Sequence, residues 1–133
     1  MRKEITVTSE EAREKGFEWR SNGESITITG YKGRRRHIQI PWFIDDLPVV
    51  EVKESAFCKL SLLSVKIPDT LEVIGAEAFE QCENLRCVHL GYGVKEINDQ
   101  AFSRCSALES IKIPASVEMM GNYVFYECSS LLS

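Results

Sequence analysis

From residue 38 onward, apolar and polar positions recur with a period of about 23 residues. Phe57, Phe79, Phe102 and Phe125 follow one another at intervals of 22, 23 and 23. The stretches SVKIPDTLEVIGAEAFEQCENL, CVHLGYGVKEINDQAFSRCSAL and SIKIPASVEMMGNYVFYECSSL share one skeleton. It reads apolar-x-apolar, Pro or Gly, apolar-xx-apolar, then Ala-Phe or Val-Phe, two residues, Cys, two residues, Leu. An earlier, irregular copy, HIQIPWFIDDLPVVEVKESAFCKLSLL, has a longer loop after Pro41 and one residue fewer after Phe57.

A unit this short cannot bury its own apolar residues, but stacked copies share one continuous core. Val65/Ile67, Val88/Leu90 and Ile111/Ile113 alternate in and out, as a short strand with one buried face does. Pro68, Gly91 and Pro114 end those strands, since Pro supplies no ladder donor. Leu71/Ile74, Val94/Ile97 and Val117/Met120 then turn inward at a spacing of three. The AFEQC, AFSRC and VFYEC segments suit a single helical or 3₁₀ turn with Phe and Cys buried. Strand-paired coils sit about 4.8 Å apart, so each Phe should stack on the next.

This skeleton resembles the leucine-rich repeats of the bacterial BspA-like group, whose units read LxxIxIPxxVxxIGxxAFxxCxxL. The match covers residues 38–133, and its AFxxCxxL and IxIP elements are specific to that class. Asn98 in place of the usual Gly, Gly91 in place of a Pro, and the irregular first copy depart from it. The resemblance implies an α/β repeat, a right-handed leucine-rich-repeat solenoid of about four units. Short parallel strands, short helical or 3₁₀ turns and an N-terminal helix/β-hairpin cap would build it. It also implies protein binding and, for many relatives, adhesion at the cell surface.

Residues 1–37 read as the N-terminal cap, part of the same domain as the 38–133 solenoid. Thr8 and Glu11 form a capping box for a helix near 9–15, with Gly16 as its stop. FEWRSNGESITITGY alternates around Asn22-Gly23, a two-residue hairpin signal. Phe17, Trp19, Ile26 and Ile28 would face the first coil. At the other end nothing polar follows the last coil. This suggests either a longer array or pairing of that end, as in a homodimer.

Length allows a single domain: 133 residues, of which 44% are hydrophobic and 27% charged. The net charge of −4 makes nucleic acid an unexpected partner. It divides into +3 over residues 1–37 (nine bases, six acids) and −7 over 38–133 (seven bases, fourteen acids). Lys32-Gly33-Arg34-Arg35-Arg36-His37 is the one basic cluster, either a solvated turn or a contact for an anionic partner. No apolar run reaches the roughly 20 residues of a membrane span, and MRKEITVTSEEAREK lacks a secretory core. A cytoplasmic location with reduced thiols is the default, or the cell surface if the chain belongs to a longer BspA-like protein.

Five cysteines cannot all pair internally. Cys82, Cys105 and Cys128 fall in one inward column as small hydrophobes, while Cys58 or Leu60 takes the equivalent place in the irregular copy. Cys87 is the surface thiol. No paired CxxC favours a metal, no nucleophile motif or phosphate loop favours catalysis, and no cofactor is expected. The candidate partner-binding site is the outward strand face: Gln39, Ser64, Lys66, Cys87, His89, Ser110 and Lys112. It offers a protein or peptide a polar to basic surface without evident aromatic anchors. The alternative is a structural spacer with no ligand of its own. A second column, Val50, Glu72, Lys95 and Glu118, reads as surface ion pairing.

Overall fold

The computed structural model describes residues 6–132. Met1–Ile5 of the expected cap, and Ser133, lie outside the described residues. In chain order the elements are β1 (Thr6–Val7), α1 (Ser9–Glu14), β2 (Phe17–Ser21), β3 (Ile26–Tyr31), β4 (His37–Gln39), β5 (Phe43–Ile44) and β6 (Leu47–Val52). They continue with β7 (Ser64–Lys66), β8 (Val73–Ile74), β9 (Cys87–His89), β10 (Glu96–Ile97), β11 (Ser110–Ile111) and β12 (Met119–Met120).

Two parallel ladders run along the stack and make a β-solenoid of about four turns. β4, β7, β9 and β11 form a four-stranded sheet in that spatial order. β6, β8, β10 and β12 form the second ladder, which β3 joins by pairing with β6. The central strand residues Ile38, Val65 and Val88 are buried and their neighbours on either side are mostly exposed, as alternation requires.

The AFxxC segments are not helical. Every second N–H stays within the turn: Ala78 donates to Gly75, Glu80 to Glu77 and Cys82 to Phe79. The intervening ones cross to the next coil, with Glu77, Phe79 and Gln81 donating to the carbonyls of Asp99, Ala101 and Ser103 at 2.8–2.9 Å. Left-handed backbone at Glu77 (φ 57°) and Gln81 (φ 56°) swings those groups along the stack axis. The same pair recurs at Ser55/Lys59, Gln100/Arg104 and Tyr123/Glu127. Such residues cost about 1–2 kcal/mol each relative to right-handed backbone. A helix would satisfy the segment alone, but would remove this third inter-coil ladder.

Apolar side chains from all three sides meet in one core. Phe57, Phe79 and Phe102 are fully buried and stack with centroids 4.9 and 5.3 Å apart and planes within 12° of parallel. Tyr31 extends the column below Phe57 at 6.0 Å, and Phe17 lies 5.2 Å from Tyr31. Phe125 continues it above Phe102 at 5.9 Å. In the last coil Val117 and Phe125 are half-buried and Met120 is exposed, because no further described coil lies on them.

Thr8 caps α1 through a reciprocal box: its Oγ1 accepts from Glu11 N–H and Glu11 Oε1 accepts from Thr8 N–H. β2 and β3 pair as an antiparallel hairpin, but four residues connect them instead of two. Asn22 Oδ1 accepts from the N–H groups of both Glu24 and Ser25, so the side chain closes a wider turn. Asn98 fits the place of a Gly: its N–H and its Nδ2 both donate to Ile74 O at 3.0 Å.

The column Val50, Glu72, Lys95 and Glu118 is in backbone register, yet among the described residues it forms no ion pair. The inter-coil pairs are instead Arg86–Glu109 at 3.2 Å and Arg104–Glu127 at 3.3 Å. In the irregular copy Leu60, three residues after Phe57, makes the turn bond that Cys82 makes after Phe79. Cys58 therefore shares the position of Glu80, Ser103 and Tyr126.

Ser103 has a local consequence. Its hydroxyl is fully buried with no hydrogen-bond partner among the described residues. A buried hydroxyl left unmet costs about 1–3 kcal/mol. Ser103→Ala is therefore expected to raise stability by about 1 kcal/mol in urea unfolding, and a loss of that size would contradict the placement.

Candidate functional site

The four-stranded sheet sets out the candidate residues in columns. Register brings Gln39, Lys66 and His89 side by side, and His37, Ser64, Cys87 and Ser110 beside them. His37 Nδ1 lies 2.7 Å from Ser64 Oγ, which ties the first two members of that column together. β11 ends at Ile111, one residue before the exposed Lys112.

Loops that follow the strands close one side of the Gln39–Lys66–His89 column. A groove of about 360 Å³ opens there, lined by Gln39, Trp42, Lys66, Asp69, His89 and Tyr92 among others. Trp42 is half-buried and Tyr92 is 75% exposed. The expectation of a face without aromatic anchors is therefore corrected. Trp42, Asp69 and Tyr92 each come directly after the strand-ending Pro41, Pro68 or Gly91. That repeat position is the signal that marks them.

The groove is held by its own hydrogen bonds. Thr70 Oγ1 donates to Trp42 O at 3.1 Å and to Val49 O at 2.8 Å, which fixes the backbone under the indole. Asp69 Oδ1 accepts from Tyr92 N–H at 2.9 Å, so one carboxylate oxygen is spent on positioning the ring. Lys66 makes no salt bridge among the described residues. The opening thus combines free positive charge with two aromatic surfaces. A hollow of about 500 Å³ on the turn side is lined by Gln81, Glu83, Arg104 and Glu127, but its Arg104 is already paired with Glu127.

The cysteines divide by burial. Cys82 Sγ donates to Phe57 O at 3.1 Å, Cys105 Sγ to Phe79 O at 3.2 Å and Cys128 Sγ to Phe102 O at 3.0 Å. Burial pushes the Cys82 thiol up to about 12 and raises Cys105, Cys58 and Cys128 as well. Thiolates are thereby suppressed along the column, while Cys87 stands exposed on the strand face. In the cap, hydrogen bonds from the Ser9 hydroxyl and N–H hold Asp45 below its usual range. Burial raises Tyr31.

A raised thiol stabilises the fold only while protonated. That stability is fully present below the ordinary value of 9.0 and is lost as pH climbs toward the folded value of about 12. Cys82 alone should remove about 2 kcal/mol by pH ~10.5. Urea midpoints between pH 8 and pH 10.5 should fall less steeply for Cys82→Ala than for wild type. Equal slopes would show that the thiol does not carry the effect.

Residues 50–133 match the family model for the BspA type leucine rich repeat region (6 copies). The chain belongs to the BspA-type leucine-rich-repeat family. A Treponema pallidum leucine-rich repeat protein superposes with a TM-score of 0.85 at 35% identity, over 91% of this chain and 57% of that one. This chain therefore spans little more than half of that relative. A leucine-rich repeat protein of Bacteroides capillosus is 32% identical, with a TM-score of 0.75 over 80% of this chain and 83% of its own. A leucine-rich cell surface protein of Faecalibacterium prausnitzii shares the fold at 23% identity and a TM-score of 0.57, over 89% of this chain and 52% of that one. No curated protein matches. A BspA-type repeat suggests a protein-interaction or structural repeat module.

Proposed function

We propose that this BspA-type chain is a non-enzymatic interaction module that binds an extended segment of a protein partner along its strand face. The observation that carries this reading is the groove in which Trp42 and Tyr92 flank Lys66 and His89. Aromatic rings give contact area at low entropic cost, and an unpaired lysine favours an acidic partner. Gln39, Ser64, Cys87 and Ser110 extend the polar surface along the same strands, and Lys112 lies beyond its end. The hairpin β2–β3 pairs onto β6 of the first coil, while Gln39, Lys66, Cys87 and His89 of the strand face stay exposed. Display at a cell surface is part of the proposal, in keeping with the F. prausnitzii cell surface protein that shares the fold.

The test is selection of linear peptides on the full chain, followed by affinity measurement on Lys66→Glu/Tyr92→Ala. Enriched acidic peptides that lose affinity in the variant support the face. Unchanged affinity would remove it and leave the spacer reading.

A further inference from the structure

Arg34 and Arg35 are exposed and enter no salt bridge or side-chain hydrogen bond among the described residues. They sit where the hairpin hands over to the first coil, and two cavities open on either side of Arg35. One, of about 200 Å³, lies against the first coil between Arg34, Arg35, Arg36 and Ser61. The other, of about 280 Å³, is lined by Lys15, Arg35, His37 and Gln39 over a floor of Phe17 and Tyr31. No carboxylate lines either one. In a chain of net charge −4 this concentration of cations outside any salt bridge among the described residues is a local inversion.

Neighbouring charges account for the limits of the patch. Lys32 is drawn to Glu18 at 3.6 Å, and Arg13 lies over the Trp19 ring at 5.2 Å. Glu11 and Glu14 of α1 share a third, wider hollow with Lys15, Arg34 and Arg35, but neither pairs with either arginine among the described residues. Arg36 Nε donates to Ser61 O at 2.8 Å, which anchors the loop without using Arg34 or Arg35. Tyr31 Oη donates to Arg35 O at 2.8 Å and fixes the backbone between the cavities. The guanidinium of Arg35 is thus presented on a held backbone.

We propose that Lys15, Arg34, Arg35 and His37 form a site for a sulfated polysaccharide, separate from the strand-face groove. Guanidinium groups match tetrahedral oxyanions with two parallel hydrogen bonds, and basic runs of this kind suit sulfated chains. Ligand pockets for whole small molecules run to about 300–1,000 Å³, so each cavity here takes one substituent. A ligand with anionic groups at intervals along a chain fills both. Nucleic acid fits less well, because Phe17 and Tyr31 are 4% and 7% exposed and the His37 ring is tied to Ser64, which leaves bases no open phenyl or phenol face at the site to stack on. Gln39 lines both this site and the groove, so a bound glycan would lie beside a bound protein.

Titration of the full chain with a heparin octasaccharide, at several salt concentrations, tests the assignment. Binding is expected with log affinity falling linearly in log salt, as counterion release requires. Arg34→Glu/Arg35→Glu should weaken it at least tenfold with an unchanged thermal midpoint. Should that charge reversal disturb folding, Lys15→Gln/Arg35→Gln supplies a milder loss of about threefold or more. Lys66→Glu/Tyr92→Ala should leave glycan affinity within twofold, which separates this site from the proposed protein groove. The site is overturned if the octasaccharide does not bind at low salt or if neither arginine variant changes its affinity. Equal binding of the desulfated octasaccharide, polyglutamate or an oligothymidylate also overturns it.

Discussion

Phe102→Ala is expected to destabilise the solenoid by about 3–5 kcal/mol in urea unfolding. Phe102 is fully buried between Phe79 and Phe125, at 5.3 and 5.9 Å, with both rings within 9° of parallel to it. Deleting the ring removes its own transfer energy and also opens a cavity that two rigid neighbours cannot fill, because the inter-coil ladders fix their spacing. Phe102 N–H donates to Val124 O at 3.0 Å and Phe102 O accepts from Cys128 Sγ, so the backbone cannot drift inward. A domain of this size holds about 5–15 kcal/mol in all, so such a loss removes a large share. Phe125→Ala should cost clearly less, since Phe125 is half-buried and stacks on one side only. A loss below about 1.5 kcal/mol at Phe102, or equal losses at both positions, would contradict a shared aromatic column.

Lys66→Glu/Tyr92→Ala should weaken strand-face peptide binding by about 30- to 100-fold. Buried aromatic anchors in interfaces are worth about 2 kcal/mol or more, which alone is roughly 30-fold. Tyr92 meets that condition only in the complex, because it is 75% exposed in the free chain and held from below by Asp69. Reversing Lys66 adds like-charge repulsion toward an acidic peptide, a smaller and salt-sensitive effect of up to about 1 kcal/mol at an exposed position. The matching change on the turn side, Arg104→Glu/Tyr126→Ala, should leave affinity within twofold. Equal losses from both variants would point to a general stability effect instead of a site.

The periodic phenylalanines revealed the stack, its register and its core, because burial alone dictates where Phe79, Phe102 and Cys105 must point. Strand alternation placed Gln39, Lys66 and His89 on one face for the same reason. What the pattern hid was decided by inter-coil hydrogen bonds. Glu77 and Gln81 have no local preference for left-handed backbone, and only the carbonyls of Asp99 and Ser103 in the next coil make it worthwhile. The AFxxC turns therefore read as helical until the neighbouring coil is present. Asn22-Gly23 misled in the opposite direction, because the Asn22 side chain closed a longer turn than the pair alone suggests. Trp42 and Tyr92 were hidden because they lie three residues past the ends of β4 and β9, in the loops. Their convergence on Lys66 depends on the stacking of separate coils.

Hydrogen exchange of the full chain, with and without a saturating selected peptide, locates the contact directly. The proposed groove requires slowed exchange at residues 37–42, 64–69 and 87–92, while the turn segments 77–82, 100–105 and 123–128 remain unchanged. Protection confined to those turn segments would contradict a strand-face binding module.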